Sequence, residues 1–350
     1  MVLGHGGDWR GFLEKNGVMP LDFSASVSPL GLPAGVREAV VRSLSRADLY
    51  PDPMSRDLTR DLSRYHGVSD NKIVCGAGAS DIIERLLRAL KPSRVMVTAP
   101  AFSGYTEALA GLECDIEEYT LSDINGFRVD EGILGAIDED TDVLFLCEPN
   151  NPTGVCTERD LLLRIADRCR ETGTLLAVDE CFNDFLEDPE GMSMLSELER
   201  CPMLVIRAFT KFYAMPGLRL GYGISDDVDL IDKMKRAGQP WAVSVMADAA
   251  GRAALHEEEY GRVLKKLIKE ERMYLLDSLK RLGMGCVQGE ANFVFFESPV
   301  KDLGEKLQTY GIVIRDCSNF SGLKKGYYRA AVRTHEDNVT LISAMEEILK

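Results

Sequence analysis

With 350 residues, 45% of them hydrophobic and 28% charged, the chain has the make-up of a globular protein large enough for two lobes rather than one core. Its net charge of −15 and pI near 4.9 argue against broad contact with nucleic acid or an anionic membrane surface, though a local basic pocket stays open to it. No apolar run approaches the length of a membrane span, and the opening MVLGHGGDWRGFLEKNG lacks the basic-then-apolar pattern of a secretory signal.

Residues 1–45 precede any regular pattern and are expected to form an N-terminal arm packed with the C-terminal lobe. From about residue 70 to 225 short apolar runs alternate with helical patterns. KIVCGAG, RVMVTAP, VLFLCEP, TLLAVDE and MLVIRAF read as buried strands, and SDIIERLLRAL, YTEALAG and RDLLLRIADRCRETG as the helices between them. Hydrophobicity that is continuous rather than alternating predicts strands covered on both faces, hence an α/β fold with a doubly wound, mainly parallel sheet over residues 46–245. The segment 251–283 reads as long amphipathic helix, with its EEE run on a solvated face. NFVFFES, GIVIRDC and YYRAAVR then read as strands interleaved with helices, making residues 246–350 a smaller α+β domain.

Nine cysteines are scattered without a CxxC pair, which points to reduced, buried thiols in a cytoplasmic protein. The four histidines have no zinc-ligand spacing, so no metal is expected.

In sheets of this kind ligands bind outside the carboxyl ends of the strands. CGAGASDIIE places backbone N–H groups around Gly78, Ala79 and Ser80 at a helix N-terminus, where they can face a phosphate. CEPNNPTG sets Asn150 and Asn151 in a Pro-flanked turn, LLAVDECFNDF ends a strand on Asp179 and Glu180, and VIRAFTKFYAMPGLRLGYGIS carries Lys211 and Arg219. Taken singly, these are a strand-to-helix turn, turn chemistry, a helix cap or structural ion pair, and a solvated lysine. Together they meet the needs of one ligand, pyridoxal 5′-phosphate. Its aldehyde needs an amine and its ring nitrogen a carboxylate. Its phenolic oxygen needs a donor, and its phosphate needs N–H groups and an arginine.

The chain resembles the fold-type-I, aspartate aminotransferase superfamily, in the class I/II branch, through HGGDW, DFSASVSPLG, YPDP, PAFSGY, LFLCEPNNPTG, DECFNDF, TKFYAMPGLRLGY, QPWAVS and IVIRDCSNFSGL with YYRAAVR. TKFYAMPGLRLGY and IRDCSNF resemble the threonine-phosphate decarboxylases of cobalamin biosynthesis, with the histidinol-phosphate aminotransferases next. The resemblance implies that Lys211 bonds the aldehyde, Asp179 partners the ring nitrogen, Asn151 donates to the phenolic oxygen and Phe102 stacks on the ring. Gly78, Ala79, Ser80, Thr210 and Arg219 would hold the cofactor phosphate, joined across a homodimer interface by Tyr50. Arg329 would take a substrate carboxylate, and His5 and Arg315 a substrate phosphate.

Departures from the family pattern are Asp8 in the HGGD motif, Ser26 and Ser28 where asparagines are usual, Ala208, Phe182 and Ser244. They point to an altered substrate, and Asp8 would repel a phosphate if it pointed inward. The reading that follows is a decarboxylase of a phosphorylated amino acid, such as threonine phosphate or phosphoserine. An aminotransferase is the alternative, and a non-catalytic ligand-binding relative the second.

Overall fold

The computed structural model describes residues 5–350. Strand β1 (Leu21–Asp22) precedes a seven-stranded sheet built from β2 (Ile73–Gly76), β3 (Arg94–Ala99), β4 (Asp115–Thr120), β5 (Val143–Cys147), β6 (Leu175–Asp179), β7 (Met203–Ala208) and β8 (Gly221–Ile224), in the order β2-β8-β7-β6-β5-β3-β4. Neighbours pair in parallel except at β8, which is antiparallel to both β2 and β7. The continuous apolar strands behave as their composition demands. Leu144 and Leu146 enter one core, while Val143, Phe145 and Cys147 of the same strand enter another on the opposite face. The helices Ala79–Leu90 and Val228–Ala237 cover the second face, and Arg159–Thr172 covers the first. Two elements escape the sequence pattern. β4 is a solvent-facing edge strand with no apolar run, and β8 is a short GYGI strand whose glycines hide its β character.

The smaller lobe is a four-stranded antiparallel sheet, β12-β13-β10-β9, made of β9 (Gly285–Val287), β10 (Phe293–Glu297), β12 (Arg315–Asp316) and β13 (Tyr327–Ala331). The short β11 (Ile312–Val313) pairs in parallel with β1, and Ala331 N–H donates to Phe23 O at 2.8 Å, so residues 21–23 are stitched to this lobe. A later part of the arm behaves differently. The helix Ala34–Ser43 packs against the helix Val245–Ala254, and Val36 lies in the large-sheet core.

The amphipathic stretch 251–283 is not one helix. It breaks between Val245–Ala254 and Glu258–Arg281. The first of these buries Ala247, Ala250 and Ala254 in the large core, and the second buries Leu264, Ile268 and Leu275 in the small one, so the chain must turn where it passes from one core to the other. The chain thus passes from one core to the other near residue 255. The glutamate run marks the new helix start: Glu257 is its N-cap, and Glu258 and Glu259 complement the N-terminal dipole while facing solvent.

Candidate active site

The carboxyl ends of β2, β3, β5, β6 and β7 open on one edge of the large sheet, and the small sheet closes over that edge to leave a cavity of about 370 Å³. Lys211, Asp179, Asn151, Phe102, Ala79, Ser80, Thr210, Arg219, Arg315, Arg329 and His5 all line it.

Asp179 and Glu180, adjacent at the end of β6, divide their labour because successive strand residues face opposite ways. Glu180 turns away from the cavity. Arg207 donates to its Oε2 through Nε at 3.0 Å and Nη2 at 2.6 Å, while Ser193 Oγ and Met194 N–H donate at 2.8 and 2.7 Å. That buried, fully bonded pair is the structural ion pair. Asp179 faces the cavity, with Tyr105 OH donating to Oδ2 at 2.8 Å and the Cys181 N–H to Oδ1 at 3.0 Å. These donors hold the carboxylate in one orientation.

Lys211 follows β7 in a turn where its carbonyl accepts from Ser28 N–H at 2.9 Å, and its Nζ lies 5.9 Å from the centre of the Phe182 ring. Burial first, and then the charges of Arg329 and Arg219, bring the amine down to about 8 from its ordinary 10.5. An amine near that value is available both as a nucleophile and as a proton carrier.

The glycine loop is shaped for close approach. Gly78 has φ +96°, and a Cβ there would lie 2.8 Å from Arg219 Nη2. Gly221 of β8 runs beneath, where a Cβ would meet Ala79 N at 2.7 Å. The first N–H groups of the helix Ala79–Leu90 and the Arg219 guanidinium therefore share one small space.

Across the cavity, Arg329 on β13 and Arg315 on β12 stand directly opposite each other. Like charges in register destabilise a strand pair unless something neutralises them. Arg329 is buried, makes no ion pair among the described residues, and leaves its Nε without a partner. Burial, with the Arg315 charge adding to it, lowers Arg329 to about 10. Its Nη2 donates to Ser24 O at 3.0 Å, and its Nη1 donates to Asn151 Oδ1. The second bond orients the Asn151 amide so that its NH2 is left to donate elsewhere.

Several departures resolve plainly. Asp8 does not point inward: its Oδ1 accepts from Gly11 N–H at 3.0 Å and caps the helix Trp9–Asn16. Ser244 caps the helix Val245–Ala254, and Ser28 Oγ bonds Tyr260 OH at 2.6 Å. Ser26 Oγ is buried without a partner, whereas Ala208 and Phe182 are part of the cavity wall. Tyr50 is not among the cavity residues: it is 82% exposed and its ring lies tilted against Trp241, with centroids 4.9 Å apart. Sequence reasoning misses Tyr105, Cys147, Ser24 and Phe320. The first is within reach, since PAFSGY places it one helical turn from Phe102.

Fit to pyridoxal 5′-phosphate can be tested at the glycine loop and at Asp179. The space a Cβ would fill at Gly78 lies against a cation and helix N–H groups, which suits a phosphate, and Asp179 is buried yet open to the cavity, which suits a ring nitrogen. Fold and site together place the chain in the class of fold-type-I pyridoxal 5′-phosphate enzymes. Residues 19–345 match the family "Aminotransferase class I and II", and the chain belongs to that family.

Among its relatives is the threonine-phosphate decarboxylase of Salmonella typhimurium, 38% identical over 99% of this chain and 96% of that protein. The histidinol-phosphate aminotransferase 1 of Archaeoglobus fulgidus is 33% identical over 88% of this chain and 93% of its own length. Among solved structures, the histidinol-phosphate aminotransferase from Clostridium acetobutylicum superposes with a TM-score of 0.88 at 26% identity, covering 93% of this chain and 98% of that one.

Proposed function

We propose that the chain decarboxylates a phosphorylated amino acid, O-phospho-L-threonine or a close analogue such as phosphoserine. The observation that carries this reading is the cross-strand pair Arg315 and Arg329, which share one cavity with Lys211 and Arg219 in a chain of net charge −15. So many cations against one carboxylate call for more anionic charge than the cofactor phosphate alone brings. A substrate with both a carboxylate and a phosphate supplies it. The similarity to a threonine-phosphate decarboxylase supports the same choice.

In this reading Gly78, Ala79, Ser80, Thr210 and Arg219 hold the cofactor phosphate, Phe102 lies on the ring face, Asn151 donates to the phenolic oxygen and Asp179 meets the ring nitrogen. The cofactor, when bound, supplies an aldehyde to capture the substrate amine and a ring to take up the electron pair left at the α carbon. Arg329 takes the α-carboxylate and Arg315, with His5, the substrate phosphate. By holding both anionic ends, these residues fix the rotation about the bond between the amino nitrogen and the α carbon. That rotation decides whether the bond to the carboxylate breaks and CO2 leaves, or the α proton is removed. Lys211 Nζ then returns a proton to the α carbon.

Transamination is the second reading, favoured by the histidinol-phosphate aminotransferase relatives. Incubation with O-phosphothreonine and O-phosphoserine, with and without 2-oxoglutarate, separates them. CO2 released without the keto acid is the expected result. Glutamate formed only with the keto acid would establish transfer instead, and no turnover of any amino acid would leave a binding protein.

The working form in this reading is a homodimer. Tyr50, Leu49 and Trp241 are exposed apolar side chains, and a second copy would cover them and bring Tyr50 to the partner's cofactor phosphate. Sedimentation should give twice the chain mass, with Tyr50→Ala weakening cofactor retention; a monomer that retains cofactor fully would sink the idea. The nine free thiols fit a reducing compartment, so the cytoplasm is the proposed location.

A further inference from the structure

Residues 5–7 form a short strap at the cavity wall, where His5 and Gly6 are lining residues, and the contacts of the strap reach both lobes. His5 Nε2 is 2.9 Å from Glu107 Oε2, on the short helix Gly104–Ala108 of the large domain. A carboxylate only accepts, so Nε2 carries the hydrogen. Ser103 Oγ donates to the other oxygen of Glu107 at 2.9 Å and sets the direction of the carboxylate. The next residues rest on Ser24. Gly7 N–H donates to Ser24 Oγ at 2.8 Å, and a Cβ on Gly6 would lie 2.2 Å from the Ser24 carbonyl oxygen. That same carbonyl accepts from Arg329 Nη2 at 3.0 Å, so the seat of the strap and the buried arginine share an atom. The His5 ring itself lies 5.8 Å from Phe102 and faces the cavity with Arg315.

We propose that Glu107 is a positioning residue for the substrate: by holding His5 Nε2 it latches the strap against the cavity wall and keeps the imidazole beside a phosphate held by Arg315. The substrate half of this inference rests on the functional reading above; the latch itself does not. The pair is 40% and 55% exposed, so it contributes little to overall stability. Its effect is to place the ring. Glu107 is also an anion near an anionic substrate, and if repulsion dominated, removing it would tighten binding. The sign of the change in KM therefore separates the roles.

The test compares wild-type holoenzyme with Glu107→Ala and with Glu107→Gln, which keeps an acceptor for His5. For O-phosphothreonine, Glu107→Ala should raise KM about tenfold, equivalent to roughly 1.4 kcal/mol, with kcat nearly unchanged and partial recovery in the Gln variant. Inhibition by unphosphorylated L-threonine should not move. In the absence of substrate, amide hydrogen exchange at Gly7 should quicken in Glu107→Ala. An unchanged or lowered KM, an equal shift for L-threonine, or unaltered exchange at Gly7 would overturn the proposal. If wild type turns over no phosphorylated amino acid, the functional reading fails, and the exchange comparison alone decides the latch.

Discussion

Lys211→Met is expected to lose at least ~10⁴-fold in kcat and to lose the absorbance band of the covalently held cofactor, because no other amine lines the cavity among the described residues. The substitution keeps most of the side chain's volume, so a fold defect is a poor explanation for the loss. The cofactor-free protein tests that point independently. Lys211 is near 8 folded and 10.5 unfolded. Below pH 8 both states carry the charge, and the folded state bears the full cost of burying it. Between these values the unfolded state binds more protons, so wild-type stability rises with pH, and above 10.5 the cost is gone. Urea unfolding of cofactor-free Lys211→Met should therefore show it more stable than wild type at pH 7, by at most ~3 kcal/mol, with the gap closing toward pH 10.5. A gap that stays constant with pH would show that the amine is not buried as a charge.

Asp179→Ala is expected to lower kcat by ~10³-fold or more while leaving Lys211 able to hold the cofactor. The carboxylate does two things at once. It presents an anion to the cavity, and it satisfies Tyr105 OH and the Cys181 N–H. Removing it leaves the buried tyrosine hydroxyl without its acceptor, at a stability cost of roughly 1–3 kcal/mol. Steady-state kinetics with a cofactor spectrum separates the effects: the band should persist with altered wavelength while turnover falls. Wild-type turnover in the variant would remove Asp179 from the chemistry and leave it a structural acceptor.

Much of this site is legible in the amino-acid sequence because it hangs on strand ends. A short continuous apolar run between turn signals reads as a buried strand, and the polar residues just past its carboxyl end fall at the sheet edge, which is how Asp179, Asn151 and Lys211 announce themselves. Neighbours on such an edge are harder to tell apart. Asp179 and Glu180 look alike in DEC, and only the direction in which each side chain leaves β6 shows that one faces the cavity and the other Arg207. Asp8 likewise reads as a threat to a phosphate, and only its position as a helix cap removes that threat.

Local sequence, then, determined the strands, the glycine turn and the chemical types at their ends, because periodicity, turn preference and the cost of burying charge act over a few neighbouring residues. Tertiary structure alone decided the rest: the break near residue 255, the facing of Arg315 and Arg329, the donors on Asp179, and the strap held by Glu107. Each of these joins residues far apart in the chain or depends on how two separate cores pack, which no short window of residues encodes.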